Sequence, residues 1–253
     1  TAMASDAADG ANTPRAPGSI EYVFTWDDSS LDVHANDSWT TVSDLGYVVT
    51  VETGHLVSYQ ASLVPCEEMG HMKPKTPWYR RLVDLIIPVA HAGHGGVDDP
   101  SALQNSIAES LTHPITKRRM VHVESNVRYC DVHYLVARAD VGTEELPNDP
   151  QLDSLSLILE GHWQAADSNV TSPFSVSVDI AYGVLQSSAE NVSRPLRANP
   201  IEVGPDHNGV KVTIIRRLRT AFDGIQFPNT VPRAIGRRIL RNLVTKANLA
   251  VEP

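Results

Sequence analysis

Residues that bind soft metal ions are concentrated in one segment of the chain, between Cys66 and Pro100. Two thioethers and an imidazole occur within four positions of the run CEEMGHMKPKTP, and two further imidazoles follow in PVAHAGHGG. These donors are Met69, His71, Met72, His91 and His94. Thioethers bind cuprous copper well and zinc or calcium poorly, and imidazole binds copper in either oxidation state. The segment therefore predicts a copper site, with Cu(I) favoured and zinc as the lesser alternative.

Glycines at positions 70, 93, 95 and 96 would let the backbone of this segment wrap around an ion. Ordering such a backbone costs about 1–2 kcal/mol per residue, which bonds to a metal would offset. The alternative interpretation is that the two methionines are loop or core residues and that the histidines are hydrated surface groups.

A second group of histidines lies within runs that alternate like β-strands: His55, His122, His133 and His162. Of these, His55, His133 and His162 are candidate metal ligands. Alternation places His162 on the same face as Glu160 and His133 on the same face as Asp131, so a sheet could hold a metal ion there with a carboxylate orienting each imidazole. His55 falls on what the alternation predicts to be the core face. The alternative is that these histidines are ordinary surface or core residues.

Period-two alternation of apolar and polar residues predicts the elements that would position these groups. In FSVSVDIAYGVLQ, for example, Phe174, Val176 and Val178 face one way and Ser175 and Ser177 the other. Similar runs occupy residues 19–26, 46–66 with a break near Thr53 and Gly54, 120–140, 152–166 and 209–222. Several such strands, with turns rich in Gly, Pro, Asn and Asp and no βαβ rhythm, predict a mainly β fold, an antiparallel β-sandwich.

Helices are expected only around this sandwich. An insertion, 67–118, is predicted to consist of a long loop with short helices over 76–87 and over SALQNSIAESL, where Asp99 and Pro100 read as N-cap and first-turn proline. A C-terminal amphipathic helix, 232–250, aligns apolar residues at four-residue spacing with arginines outside. This helix is interpreted either as packing across the sandwich or as a docking face for an anionic membrane surface or an acidic partner.

Composition limits the classes of protein that the chain can be. The 253 residues include 30 Asp and Glu but 21 Lys and Arg, a formal net charge of −9, which excludes a protein that coats nucleic acid. Nine of the 21 basic residues but only two of the 30 acidic ones follow residue 209. The C-terminal part of the chain is therefore basic and the rest is acidic. The sequence predicts a flexible leader, residues 1–19, followed by a single domain, residues 20–253. No apolar run approaches the roughly 20 residues that span a bilayer.

Cys66 and Cys130 are the only cysteines, and both sit beside strand-like runs. A disulfide between them would close about 64 residues and would stabilise the fold by about 4 kcal/mol, whereas two unrelated buried thiols are the alternative. The leader is rich in Ala, Ser, Asp and Gly, which predicts an exported protein in the periplasm or at the cell surface. A lipid anchor on a leader that has since been removed is one variant of this prediction. A cloning remnant is the other explanation.

The runs GYVVTVETGHLVSYQASLVPC, AHAGHGG and RYCDVHYLV resemble exported bacterial β-sandwich proteins of copper handling, the MbnP-like and methanotroph surface copper proteins, over residues 46–140. The resemblance implies one copper bound by histidines and by a tryptophan that a partner dihaem enzyme oxidises to kynurenine. Carried over to this chain, the equivalent is His162 with Trp163, although the sequence has an adjacent His-Trp pair and no Trp-x-Trp.

Motifs of hydrolases and nucleotide-binding enzymes are absent from the sequence: it has no G-x-S-x-G, H-E-x-x-H or G-x-x-x-x-G-K. We therefore expect a copper-holding or copper-delivery protein without catalytic turnover, which would exchange its ion with a redox or metal-transfer partner. A surface interaction or assembly module without metal is the alternative. A metal-dependent enzyme is the third hypothesis, and it requires an open coordination position and a substrate pocket.

Overall fold

Two β-sheets account for most of the fold, as the sequence predicts. The computed structural model describes residues 15–66, 99–148, 152–186 and 200–252. Within these ranges the strands are β1 (Ser19–Asp27), β2 (Asp32–Val33), β3 (Trp39–Val42), β4 (Val48–Pro65), β5 (Ile107–Ser110), β6 (Lys117–His122), β7 (Val127–Val136), β8 (Leu157–Gln164), β9 (Thr171–Val178), β10 (Tyr182–Gln186), β11 (Ile201–Val203), β12 (Val210–Arg217) and β13 (Asn248–Glu252). An α-helix, α1 (Pro232–Thr245), and two 3₁₀ helices, Leu218–Phe222 and Phe227–Asn229, complete the described elements.

The first sheet has four strands in the order β13-β12-β1-β6, and the second has nine, with the central order β10-β7-β4-β3-β2. In the second sheet β5 and β8 also pair with β4, β9 pairs with β8, and β11 pairs with β7. The pairs between these strands are antiparallel, as predicted, except that β1 and β12 run parallel, with Ile20 opposite Val210. The long strand β4 therefore links most of the second sheet.

The main apolar core contains residues of both sheets and of α1, as expected for a sandwich-like arrangement. The alternation predicted for β9 is confirmed, because Phe174, Val176 and Val178 are buried and the serines between them are exposed. At one end of this core the rings of Phe174, Phe222 and Phe227 lie about 6 Å from one another, and Trp39 lies 6.0 Å from Phe222, in tilted and edge-to-face pairs.

The predicted break near Thr53 and Gly54 is absent, because β4 runs through this point as one strand of 18 residues. Its register shifts three times, and the first two shifts, between Val51 and Thr53 against β8 and between Ser58 and Gln60 against β7, precede Ala61. Each shift is the signature of a bulge, which moves the following side chains to the other face.

These bulges overturn the prediction that His55 lies on the core face. Leu56, Ala61 and Leu63 belong to the main core, whereas Val57 packs in a small separate cluster. Because neighbouring residues of a strand point to opposite faces, His55 lies on the same side as Val57 and away from the main core. It is half-buried there.

The prediction of a helix over residues 101–111 is wrong. Residues 107–110 form β5 and pair with β4, from Ile107 opposite Ser58 to Ser110 opposite His55. The Asp99 carboxylate, read as a helix N-cap, instead accepts a hydrogen bond of 2.9 Å from the backbone N–H of Ser101 in a turn. The remainder of the predicted helical insertion, including 76–87, lies outside the described residues.

The C-terminal helix is confirmed but is shorter than predicted. It begins at Pro232 and ends at Thr245, and the residues that follow form β13 on the edge of the first sheet. In NLAVE the apolar residues Leu249 and Val251 alternate with partly and fully exposed ones, which suits a half-buried strand. None of the helices in the described ranges is long and apolar enough to cross a membrane.

Candidate functional site

The segment 67–98, which carries the predicted copper donors, leaves the described fold at a disulfide. Cys66, directly after β4, is bonded to Cys130 of β7, which confirms the predicted pairing. The backbone N–H of Cys66 also donates a hydrogen bond of 2.8 Å to the carbonyl oxygen of Arg128. Cys66, the residue that precedes the segment, is therefore fixed covalently and by hydrogen bonding to the neighbouring strand.

The other end of this segment returns to the same stretch of β4 through Ser101. The Leu63 N–H donates a hydrogen bond of 3.1 Å to the Ser101 hydroxyl, which lies 2.8 Å from the Leu63 carbonyl oxygen and 2.6 Å from a carboxylate oxygen of Asp99. Ser101 is 0% exposed. Its side chain thus satisfies two backbone groups of β4 only three residues before Cys66.

Replacing Ser101 by alanine is expected to lower the free energy of unfolding by about 1–3 kcal/mol, because it leaves the buried N–H and carbonyl of Leu63 without the hydroxyl. Urea unfolding measures this change. Ser125→Ala is the matched control, since Ser125 is exposed and should change the free energy by less than about 0.5 kcal/mol. Equal values for the two variants would show that Ser101 does not hold the chain against β4.

One described histidine, His133, lies in the β-ladder beside this anchoring point. It lies on β7 opposite Ser62 of β4 and Leu185 of β10, and it is 7% exposed. Burial lowers the pKa of the imidazole, and the negative charge of Asp99 acts in the opposite direction. The ring is accordingly neutral at neutral pH, which is the form that binds a metal ion.

The metal-free protein should lose stability in mild acid through His133. A histidine in the unfolded chain has a pKa of about 6.5, and the folded-state pKa is lower, so the unfolded state binds more protons between the two values. The stabilisation is complete above about pH 6.5 and is lost as the pH falls through the lower, folded-state pKa. We expect His133→Gln to flatten the change of the unfolding free energy between about pH 5 and 7, measured with urea in the presence of a chelator.

The control for this measurement is His113→Gln, which replaces an exposed histidine and should leave the pH profile as in the parent protein. An unchanged profile in the His133 variant would contradict the assignment.

Two tyrosines on different sheets face the same anchoring point. Tyr22 of β1 donates a hydrogen bond of 2.8 Å from its hydroxyl to the carbonyl oxygen of Ser101. Burial raises the pKa of both Tyr22 and Tyr129, and the charge of Asp99 raises it further. Both phenols are therefore protonated and offer no phenolate ligand. The imidazole of His133 remains as the donor at this place.

The structure does not bring the three strand histidines together. His162 lies opposite Thr50 of β4, His55 is itself on β4, and His133 lies opposite Ser62. At about 3.3 Å per residue these positions are separated by roughly 16 and 23 Å along the strand. No group of three or more His, Cys, Asp and Glu residues in the described part of the chain is arranged to hold a metal ion. The predicted sheet site shared by His133 and His162 is thus not formed.

His162 and Trp163, the pair implied by the resemblance, face opposite ways. His162 lies near the surface, with its Nδ1 3.3 Å from a carboxylate oxygen of Glu52. The ring of Trp163 stacks on Phe227 at 5.4 Å and meets Tyr47 edge-on at 5.5 Å, against the core. Adjacent residues of a strand point to opposite faces, so the two side chains do not converge on one ion. Oxidation of Trp163 stays a prediction.

The remaining predicted donors lie outside the described residues. Met69, His71, Met72, His91 and His94 all belong to the segment 67–98, so their arrangement stays a prediction.

A buried ion pair, which the sequence analysis did not identify, crosses the sandwich. Arg216 of β12 binds both carboxylate oxygens of Glu109 of β5, with the Nη2 atom 2.6 Å from Oε2. The Nη1 atom of Arg216 also lies 3.0 Å from the Ser58 hydroxyl and 3.2 Å from that of Tyr134, and the Trp26 indole N–H donates to Glu109 at 3.1 Å. Because β12 belongs to the first sheet and β5 to the second, this cluster connects the two sheets.

One signal for this pair was present in the sequence. In the run VKVTIIRR, Arg216 continues the alternation of Val210, Val212 and Ile214, which places a charged residue on the core face. Such a residue requires a buried carboxylate partner. Glu109 was not recognised as the partner of Arg216 because its segment was predicted to form a helix.

A cleft of about 460 Å³ lies elsewhere on the protein surface, and charged residues of both signs line it: Asp27, Asp44, Asp223, Arg217 and Arg219. None of the described histidines lines this cleft. It therefore offers no support for an enzyme that uses those histidines to hold a metal.

The fold and the site define a mainly β, sandwich-like protein with a disulfide-anchored insertion. Comparisons with protein-family models, with curated proteins and with solved structures give no match.

Proposed function

We propose that the protein holds a copper ion, with Cu(I) favoured, through Met69, His71, Met72, His91 and His94, and that it catalyses no reaction itself. The observation that carries this proposal is that the residues on either side of the donor-bearing segment are anchored close to the same end of β4. Cys66, directly after β4, is bonded to Cys130 of β7, and Ser101 is hydrogen-bonded to Leu63 of β4.

Chain geometry shows why this attachment favours a shared site. Leu63 and Cys66 are three residues apart, so the two anchors are separated by roughly 10 Å. The first thioether follows Cys66 by three residues and the last imidazole precedes Asp99 by five, and a chain extends at most about 3.6 Å per residue. Donors from the two ends of the segment are therefore within reach of one another. Closing the loop in advance also reduces the entropy that metal binding must offset.

His133 adds a further imidazole beside the anchors. Its partner in the β-ladder is Ser62, next to Leu63, and burial keeps the ring neutral. A neutral imidazole on a rigid strand is a suitable ligand for copper and would complement the flexible donors of the segment. We include His133 in the proposed site as a secondary ligand.

The choice of copper over zinc rests on the two thioethers, which are poor zinc ligands. The disulfide supports location in an oxidising compartment, such as the periplasm or the cell surface. An exported protein of this kind would deliver its ion to a redox or metal-transfer partner.

Metal analysis of the protein after exposure to limiting Cu(I) or Zn²⁺, followed by dialysis against a competing chelator, tests the proposal. We expect the parent protein to retain stoichiometric copper and little zinc, and the double variant His71→Ala/His91→Ala to lose most of the copper. The matched control is His34→Ala/His113→Ala, which removes two exposed histidines and should retain copper. Equal copper in the parent and the first variant would refute the site.

The same measurement distinguishes the alternative functions. A surface assembly module without metal predicts no retained copper or zinc in any of the variants. A zinc-binding protein predicts the reverse preference between the two metals.

A further inference from the structure

The exposed side of α1 carries four arginines, called here the arginine face: Arg233, Arg237, Arg238 and Arg241. All four are exposed, while the opposite side of the helix, with Ile235, Ile239 and Leu243, is buried in the core. From the first to the last arginine the face extends about 12 Å along the helix axis.

No hydrogen bond or ion pair joins these four guanidinium groups to any residue in the described ranges. Other exposed arginines of the chain do find carboxylates: Arg118 binds Glu21 at 2.9 Å, and Arg128 lies 3.4 Å from Glu202. The acidic residue next to α1, Asp223, is already bound by Lys246 at 2.6 Å. In a protein with an excess of carboxylates, this concentration of unpaired positive charge is a local exception.

The arginine face is also unfavourable for the helix itself. Arg233 and Arg237, and likewise Arg237 and Arg241, are four residues apart, where like charges repel. Arg233 lies in the first turn, which contains no acidic residue, although the positive end of the helix dipole favours one there. A binding partner of opposite charge would remove both penalties, so the charge pattern points to a ligand.

We propose that the arginine face docks an acidic patch on a partner protein. The guanidinium group binds carboxylates through two parallel hydrogen bonds, and a row of four such groups matches a row of Asp or Glu side chains. This inference is independent of copper binding.

A membrane surface is a poorer match for the same residues. The apolar side chains of α1 pack into the core, so none is free to insert between lipids. The rest of the chain carries a large excess of acidic residues, which an extended anionic surface would repel. An acidic patch of limited size contacts the arginine face without meeting this charge.

The test compares a labelled peptide of twelve glutamates with vesicles of phosphatidylcholine and phosphatidylserine, using fluorescence anisotropy and co-sedimentation on the full chain. The informative variant is Arg237→Gln/Arg238→Gln/Arg241→Gln. The matched control, Arg118→Gln/Arg128→Gln/Arg138→Gln, removes the same charge from exposed arginines that already pair with Glu21, Glu202 and Asp179.

We expect the parent protein and the control to bind the peptide with affinities within about twofold of each other, and the α1 variant to bind at least about tenfold more weakly. Binding should weaken as salt rises, because the contacts are exposed. Glutamine is a good helix former, so the melting temperature of the α1 variant should not fall. An equal loss of binding in both triple variants would overturn the proposal.

Two further outcomes would also overturn it. Binding to the vesicles but not to the peptide would assign the face to a membrane surface. Self-association of the parent protein that is lost in the α1 variant would assign it to the acidic part of a second copy.

Discussion

Replacing Arg216 by methionine is expected to lower the free energy of unfolding by about 3–5 kcal/mol. The change removes the partner of Glu109, whose side chain is only 2% exposed, and leaves a carboxylate in the core without its neutralising charge. An uncompensated buried charge is among the most destabilising defects that a single substitution produces. Urea unfolding of the two proteins at neutral pH measures the difference.

The contacts of Arg216 explain the size of this effect. Its guanidinium carbon lies 4.0 Å from the centroid of the Trp26 ring, which adds a cation–π contact to the paired hydrogen bonds. Burial alone would lower the pKa of the guanidinium, but the charge of Glu109 outweighs it and raises the pKa above its usual range. Arg216 is thus charged at every pH at which the protein is folded.

Two further variants separate the pair from its surroundings. Arg216→Met/Glu109→Leu removes both charges together and should recover most of the lost stability, because a buried pair can often be exchanged for apolar residues at little cost. Arg217→Met is the matched control, since Arg217 is exposed and lies 3.5 Å from Asp27. If the double variant lost as much stability as Arg216→Met and Glu109→Leu lose in total when made separately, the predicted coupling would be contradicted.

Removing the disulfide with Cys66→Ser/Cys130→Ser is expected to lower the free energy of unfolding by about 4 kcal/mol. The bridge closes a loop of 64 residues, and without it the unfolded chain regains the corresponding conformational freedom. The same variant releases one end of the donor-bearing segment, so we also expect weaker copper retention. Urea unfolding and metal analysis measure the two effects.

Treatment with a reductant provides the control for this prediction. It should lower the unfolding midpoint of the parent protein and leave that of the double variant unchanged. A parent protein whose midpoint is the same with and without reductant, and the same as that of the variant, would show that the bridge does not stabilise the fold.

Alternation of apolar residues was sufficient to predict the mainly β fold, because a strand with one buried face has an apolar residue at every second position. The strand β9 shows this most clearly, with buried Phe174, Val176 and Val178. The alternation fails at β4, where two bulges change the face without any change in residue type. His55 was assigned to the wrong side for that reason.

The turn at Asp99 illustrates a second limit of sequence reasoning. A side chain that accepts a hydrogen bond from the N–H two residues later serves a turn as well as a helix N-terminus, so Asp99 and Pro100 fit either structure. What decided between them was pairing with β4, a strand more than forty residues earlier. Local propensity carries no information about such a partner.

The candidate site was partly visible in the sequence. The cysteine pairing was correctly predicted, and His133 was selected, although it was placed on a polar face and is in fact buried. The role of Ser101 was not predicted. A serine whose hydroxyl takes the place of a backbone partner in a β-ladder has no distinguishing pattern in the sequence. The partnership of Arg216 with Glu109 joins residues 107 positions apart and needs the three-dimensional fold to be recognised.

The parallel pairing of β1 with β12 has a consequence for how the protein is made. Residues 19–27 are synthesised well before their partner strand, which ends at Arg217, so the first sheet waits for nearly two hundred further residues. Such distant pairings slow folding and leave an early strand exposed while synthesis continues. We therefore expect the nascent chain to depend on chaperones, or on a translocation machinery that accepts unfolded polypeptide, until β12 has been synthesised.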